Sequence, residues 1–284
     1  MASSQSSKIM SIKELVSKYK NKLDINELEQ LMALALHKNI AYIYKNPDKL
    51  LSRSNILTFK KLLNKRLADY SLAYLKKNKE FYNLNFIVSK HTLIPRPDSE
   101  LLVTEALKNT SNNQNIIDIG TVSGALILSL AKNNKHTANY VATDISTKAL
   151  NIAKTNARKN LPRGKAGNVN INFIKSNLLN NINNKKFDVI IANLPYLTPE
   201  QLKEPSISQE PKLALLAGKN GLDYYEKLLS QISNYLNKQY LVLLEIDPDQ
   251  ETKIADLIKK YLPGGRLEFI KDLANNIRVA KITD

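Results

Sequence analysis

From Ile116 onward the hydrophobic pattern switches repeatedly between a strand period and a helix period, and few folds accommodate that. Ile116–Ile119 is apolar and runs into Gly120-Thr121-Val122-Ser123-Gly124, after which Leu126, Ile127, Leu130 and Ala131 take helical spacing. Tyr140–Thr143 is a second strand ending in Asp144, and Ala149, Leu150, Ala153 and Ala157 form a helix stripe behind it. Ile171–Ile174 and Phe187–Ala192 are further strands. Leu222, Tyr225, Leu229, Ile232 and Leu236 predict a helix, Tyr240–Glu245 a strand and Gln250–Tyr261 another helix. Leu267–Ile270 and Ile277–Ile282 close the chain with no helix-length segment between them, so they are expected to pair antiparallel. Strand and helix in alternation predict an α/β fold, a mostly parallel, doubly wound sheet with helices on both faces.

Within that frame the most informative strand is Asp188-Val189-Ile190-Ile191-Ala192, because it runs directly into Asn193-Leu194-Pro195-Tyr196. A run this rich in Val and Ile is a buried parallel strand. Pro195 removes a backbone donor and ends the ladder. An amide, free carbonyls and an aromatic ring are thereby presented at the carboxyl end of a central strand, where open α/β sheets bind their ligands.

The turn Gly120 to Gly124 lies between strand and helix, a geometry that offers free amides to a ligand. It has neither the spacing of a dinucleotide fingerprint nor the Gly-Lys-Ser/Thr of a P-loop. Asp144 ends the next strand, where a carboxylate can accept from both hydroxyls of a ribose; capping the following helix is the alternative. After the third strand, Asn177 can meet the edge of an adenine and Leu178 its face, or the two residues simply turn the chain. Asn193 has a chemical task in such a site. An amide nitrogen is a poor nucleophile, and the Asn193 carboxamide oxygen with the Leu194 carbonyl can each accept one N–H of a planar amino group. That aligns the nitrogen with a methyl donor and raises its electron density as the bond forms. Tyr196 can pack on the substrate and favour a nearby sulfonium.

Ahead of the sheet, Ser11-Ile-Lys-Glu14 and Asp24-Ile-Asn-Glu27 both fit the capping-box pattern, and Leu28, Leu31, Met32 and Ala35 share a helical face. A third helix is expected over Thr58–Tyr74, with Pro47 as a break before it. Residues 1–76 thus form a small helical domain, 77–93 a linker with a short hairpin over Phe81–Val88, and 94–284 the α/β domain. Pro95 and Pro97 stiffen the connector, and Ser99 or Asp98 is expected to cap a helix over Glu100–Asn109. The chain has no Cys, which excludes disulfides, thiolate metal sites and a Cys nucleophile, and His37, His91 and His136 have no metal-ligand spacing. No run approaches a membrane span, and the start, Met1 to Ser7, has no apolar signal core, so a cytoplasmic location is expected. Lys and Arg number 42 against 26 Asp and Glu, a net charge of +16. An anionic partner would explain it, but the basic residues are dispersed, which favours compositional bias.

Together these residues resemble the S-adenosylmethionine-dependent protein-(glutamine-N(5)) methyltransferases of the PrmC/HemK family. The resemblance is carried by Lys79-Glu-Phe-Tyr-Asn-Leu-Asn-Phe86, Leu93-Ile-Pro-Arg-Pro-Asp-Ser-Glu100, Asn193-Leu-Pro-Tyr196, Gln209-Glu-Pro-Lys-Leu-Ala-Leu215 and Asn220-Gly-Leu-Asp-Tyr-Tyr225. It implies a Rossmann-like, seven-stranded methyltransferase sheet and a helical N-terminal domain that grips the substrate, a class-1 peptide chain release factor with its Gly-Gly-Gln loop. It implies that Gly120, Thr121, Val122, Ser123 and Gly124 line the methionine part of S-adenosylmethionine, Asp144 its ribose, and Asn177 with Leu178 its adenine. Asn193, Leu194, Pro195 and Tyr196 would bind the substrate Gln, with Asn193 also facing the donor and Arg96 and Glu210 bordering the pocket. No metal is implied, and a monomer that takes neither membrane nor nucleic acid as substrate is expected. Several positions depart from the family pattern: Val122 replaces a Gly, Leu194 the first Pro of a Pro-Pro pair, Asn177 an acid, and Asp247 and Asn275 two further Gly residues. Two other readings stand beside this one. The Asn-Leu-Pro-Tyr run and the charge also suit a nucleic-acid amino-methyltransferase acting on adenine, and Val122 suits a catalytically weakened binding protein on the same fold.

Overall fold

A computed structural model describes residues 10–161 and 169–284; the Ser-rich start, Met1 to Ser7, lies outside the described residues. The chain divides into two compact units, Met1–Lys76 and Lys77–Asp284.

The first unit is helical: α1 (Ile12–Tyr19), α2 (Ile25–Leu36), α3 (Ile40–Lys45), α4 (Arg53–Leu67) and α5 (Leu72–Lys76). Ser11 and Glu14 complete the expected capping box at α1. At α2 only half of it forms. Asp24 accepts from the Asn26 and Glu27 amides, while the Glu27 carboxylate turns away to a two-pronged pair with Arg66, at 2.7 and 3.1 Å. The bidentate partner outcompetes a single backbone amide. The third helix also differs from expectation. It starts earlier, where the Ser52 hydroxyl caps the Asn55 amide, and it stops at Leu67, because Asp69 takes a left-handed φ of 59° that an α-helix cannot contain. Ile12, Leu15, Leu28, Leu31, Met32, Phe59 and Leu63 form the core of this unit.

The second unit opens with a hairpin, β1 (Asn78–Phe81) and β2 (Leu84–Ile87), turned by Tyr82 and Asn83 at φ 48° and 57°. Both central residues are left-handed, as a type I′ hairpin turn requires. Then come α6 (Glu100–Asn109), β3 (Gln114–Ile119), α7 (Ala125–Asn133), β4 (Ala138–Asp144), α8 (Thr147–Asn160), β5 (Ile171–Lys175), β6 (Phe187–Ala192), α9 (Asp223–Ile232), β7 (Leu236–Glu245), α10 (Glu251–Tyr261), β8 (Arg266–Lys271) and β9 (Ile277–Thr283). Leu236 belongs to β7 rather than to the preceding helix, which ends at Ile232.

The sheet is seven-stranded in the order β5-β4-β3-β6-β7-β9-β8. All neighbours run parallel except β9, which lies antiparallel between β7 and β8. Alternate residues of each strand point to opposite faces, so each face has its own core. Ile117, Ile119, Ile190, Ala192, Val242 and Leu244 pack on one side with Tyr225, Leu229 and Ile232 of α9 and Ile254 and Ile258 of α10. Ile116, Val189, Ile191 and Leu243 pack on the other with Leu102 and Val103 of α6 and Ile127 and Leu130 of α7. From β3 the chain steps one way to β4, and the other neighbour of β3 is β6. A crevice therefore opens at the carboxyl ends of β3 and β6, where the strand order reverses.

The hairpin is packed into this unit by Phe81 and Phe86 in the core, by the Glu100 carboxylate on the Tyr82 amide, and by one buried amide side chain. Asn156 of α8 is fully buried; its Oδ1 accepts from the Ile87 amide at 2.7 Å, and its Nδ2 donates to the carbonyls of Ile87 and Ser123 at 3.0 and 2.9 Å. Asn156→Ala strands one buried and two half-buried backbone groups, at up to about 1–3 kcal/mol each before relaxation. The expected outcome is faster amide hydrogen exchange at Ile87 and a unit destabilised by roughly 2–4 kcal/mol. Unchanged exchange at Ile87 would show that the other contacts suffice to hold the hairpin.

Candidate functional site

The crevice is built from two turns that touch. After β3, the amides of Gly120 and Thr121 both donate to the carbonyl of Thr143 on β4, at 2.9 and 2.8 Å, folding the turn back over the sheet. Gly120, Val122 and Gly124 have φ of 76°, 52° and 80°. A Cβ on Gly120 would lie 3.1 Å from the Leu194 side chain, so glycine, at ease with the positive φ, lets the turn after β3 close against the turn after β6 without displacing Leu194. Val122 holds a left-handed backbone despite its β-branch, a conformation that stores roughly 1–3 kcal/mol.

What holds Val122 there is Asp144. The Asp144 carboxylate accepts from the Val122 amide at 2.9 Å through Oδ2 and from the Ser146 amide at 2.8 Å through Oδ1. The helix after it is capped by Ser146, whose hydroxyl takes the Ala149 amide, so Asp144 is not the cap. Burial raises its pKa and the two amide donors oppose the rise. Each carboxylate oxygen keeps a further lone pair for a ligand hydroxyl.

Two clefts meet at Asn193. One, of about 220 Å³, is lined by Gly120, Val122, Asp144, Asn177, Leu178 and Asn193 among others. The second, of about 280 Å³, is lined by Arg96, Tyr196, Gln201, Glu204, Ile207 and Glu245 among others. Asn193, Leu194 and Pro195 line both. The expected site residues are therefore sorted by the fold. Thr121 and Ser123 are buried and, with Gly120, Val122 and Asn193, line a small pocket of about 40 Å³. Thr121 gives its hydroxyl to Asp118 at 2.6 Å. Gly124 packs under the turn, where an added Cβ would meet Leu128 and Ala153. Tyr196 faces the second cleft and not the first. Leu178 is buried at φ 53°, at the floor of the first cleft.

Residues to which the sequence pattern assigns no role hold the Asn193 to Tyr196 segment in place. The Leu194 amide donates to the hydroxyl of Tyr225 at 3.2 Å, and that hydroxyl donates to the carbonyl of Glu245 at the end of β7. Gln250 donates to the carbonyls of Tyr196 and Gly221 at 2.9 and 3.1 Å. Ser99 caps nothing. Its backbone continues a short 3-10 turn, Pro97–Ser99, into α6, and its hydroxyl accepts from Asn193 Nδ2 at 3.0 Å. Asp98, the other expected cap, pairs with Arg278 at 3.2 Å. Glu210 receives the Ile94 amide at 3.0 Å and the Arg96 guanidinium, tying the proline connector to the rim of the second cleft. The family segments around Ser99, Gly221 and Tyr225 are visible in the sequence, but hydrogen bonds between residues this far apart in the chain leave no local pattern.

Asp118 of β3 is fully buried beneath the first turn. With its Oδ1 unpartnered, it is pushed from 3.8 to about 7 by burial, against the Thr121 hydroxyl and assisted by Asp144. A folded-state pKa above the unfolded value means that folding takes up a proton between the two. The contribution of Asp118 is thus complete below pH 3.8 and is lost as pH rises to about 7. In Asp118→Asn the drop in urea midpoint between about pH 4 and about pH 7 should shrink; an undiminished drop would place the proton elsewhere.

Among the described residues no helix is long and apolar enough to cross a membrane. The sequence profile of the methyltransferase small domain matches residues 94–210. A methyltransferase of known structure from Pyrococcus furiosus superposes with a TM-score of 0.51 at 22% identity, over 79% of this chain and 95% of its own, which establishes the fold. The bifunctional methyltransferase of Rickettsia prowazekii is 33% identical over 96% of this chain, which spans 57% of that relative's length. The release factor glutamine methyltransferase of Buchnera aphidicola is 34% identical over 89% of both chains. With the Gly120 turn, Asp144 and the Asn193 segment gathered at one switch point, this near full-length match shows that the chain belongs to the release factor glutamine methyltransferase family.

Proposed function

We propose that this chain transfers a methyl group from S-adenosylmethionine to the side-chain nitrogen of the Gln in the Gly-Gly-Gln loop of class-1 peptide chain release factors. The observation that carries the reading is the sharing of Asn193, Leu194 and Pro195 by two clefts. A donor in the first and an acceptor side chain in the second then meet at one strand end. The donor fits the first cleft on chemical grounds: Asp144 is anchored by two amides with lone pairs to spare for a ribose, and Leu178 supplies an apolar floor for a base. When bound, it supplies an electrophilic methyl on a sulfonium.

The residues of this chain do the rest. Asn193 spends its Nδ2 on Ser99, which turns Oδ1 toward the clefts as an acceptor. The Leu194 carbonyl offers a second acceptor, and Tyr225 and Gln250 keep the segment rigid on either side of it. Two acceptors aimed at one –NH₂ group hold the nitrogen in line and gain strength as positive charge develops on it. The proline that the family pattern places at 194 contributes a carbonyl, and Leu194 provides the same atom. The helical unit serves to recognise the protein substrate. Family membership favours a protein amide over a nucleic-acid amine, although Asn-Leu-Pro-Tyr suits either acceptor chemically.

Asn193→Ala should lower turnover by roughly a hundredfold to a thousandfold, the loss of about 3–4 kcal/mol expected for an oriented polar contact made in the transition state. Donor affinity should change far less, since Gly120 and Asp144 are untouched. Mass spectrometry of a release factor incubated with donor and either chain checks this. Near-normal turnover of the variant, or a methyl found on RNA or DNA instead of Gln, would overturn the assignment.

Val122→Gly should tighten donor binding measured by calorimetry. Relief of about 1–3 kcal/mol of backbone strain corresponds to at most one to two powers of ten. Unchanged or weaker binding would show that the valine side chain contributes as much to the cleft as its backbone costs.

A further inference from the structure

A carboxamide is nearly symmetric in shape and opposite in polarity at its two ends: one accepts two hydrogen bonds, the other donates two. The reaction proposed above needs the oxygen of Asn193 toward the substrate, and the position of the strand end alone does not choose. The choice is made behind the residue. Nδ2 donates to Ser99 Oγ at 3.0 Å. A serine hydroxyl can equally donate, and if Ser99 gave its proton to Asn193 the amide would turn over and present its nitrogen to the cleft.

Glu245 removes that freedom. It is the last residue of β7, one strand over from Asn193, and is 3% exposed. Its Oε1 accepts from the Tyr196 hydroxyl at 3.4 Å, and its Oε2 is buried with no hydrogen-bond partner of its own. The Ser99 hydroxyl and the Asn193 amide lie near enough to stabilise its charge. A carboxylate only accepts. It therefore draws the Ser99 proton toward itself and leaves Ser99 Oγ an acceptor, so the Asn193 amide can only donate on this side, to Ser99 at 3.0 Å and toward Glu245 itself. We propose that Ser99 and Glu245 are positioning residues that fix the polarity of the Asn193 amide, and with it the acceptor face of the active site. The proposal rests on the reading of the site as a glutamine methyltransferase only in what the fixed face is for.

The same geometry predicts when the device fails. Burial pushes the Glu245 carboxyl to about 7, with Asp98 raising it further and Ser99, Tyr196 and Asn193 opposing. The charged and titratable groups around it come from every packed element: Asp98 from the turn before α6, Tyr196 from the segment after β6, Tyr225 from α9, Asp247 from the turn after β7, and Arg278 of β9, which pairs with Asp98 and Asp272. A protonated Glu245 can itself donate to Ser99 and release the direction of the chain. Turnover at saturating donor should then fall as pH drops through about 7.

The test combines kinetics on a release factor with the ¹⁵N side-chain amide signal of Asn193, assigned by its loss in Asn193→Ala. Ser99→Ala is expected to lower kcat about tenfold, with KM for the release factor and donor affinity within about twofold, as fits loss of one orienting hydrogen bond. Ser99→Thr, which keeps the hydroxyl, should restore it. Glu245→Gln can donate as well as accept, so it should lose about tenfold in kcat and flatten the pH profile. The Asn193 signal should move across the same pH range in the parent chain and stay still in Glu245→Gln. An Asn193 signal indifferent to pH and to Ser99→Ala, or a Ser99→Thr variant as slow as Ser99→Ala, would overturn the proposal. If the parent chain methylates no Gln while its Asn193 signal responds as described, the functional reading fails and the positioning role stands.

Discussion

The hydroxyl of Tyr225 is the contact on which the site depends. It takes the Leu194 amide and gives its own proton to the Glu245 carbonyl, stitching the chain leaving β6 to the end of β7. A strand that ends beside a proline leaves backbone groups without a ladder, and buried groups of that kind must find partners or lose stability. Tyr225 of α9 and Gln250, just ahead of α10, supply those partners from the helices that cover one face of the sheet. Their apolar packing and their polar reach are therefore inseparable. Tyr225 is fully buried among Leu229, Ile232 and Ile254, and that burial keeps its hydroxyl where the segment needs it.

The strands and their order of use were legible because parallel strands are apolar on both faces and stop abruptly. The ends of β6 and the beginning of α6 match the sequence reading to the residue. Asp144 was legible as a strand-end acid about twenty residues after a glycine turn, open to ligand binding or to helix capping, and the Ser146 cap removes the second reading. Val122 was legible as an anomaly, and its φ of 52° shows why a glycine is the easier residue there.

What stayed hidden was the layer behind these residues. Ser99 reads as a helix cap in sequence because it precedes a helix. In the fold its hydroxyl is claimed by Asn193, 94 residues away. Glu27 likewise reads as half of a capping box and is claimed by Arg66, 39 residues on. Leu236 fitted a helical face and instead starts a strand, since an apolar residue at a helix end satisfies either period for one step. In each case a local rule gave a sound first choice and a long-range partner of better geometry displaced it.

The segment that rims the second cleft has a different kind of significance. It leaves and returns through one backbone clasp, Leu197 amide to Leu215 carbonyl and Ala217 amide to Leu197 carbonyl, both at 2.9 Å. Residues 198–214 hang outside that clasp and carry Gln201, Glu204 and Ile207 to the wall of the second cleft and Pro211, Leu213 and Ala214 to that of the first, while Asn193 to Tyr196 lie inside it. Side-chain changes at Glu204 and Ile207 alter the wall of the second cleft without touching the clasp or the tie from Glu210 to Ile94 and Arg96. The shape of the second cleft can therefore vary at one loop while the strand-end contacts behind it stay as they are.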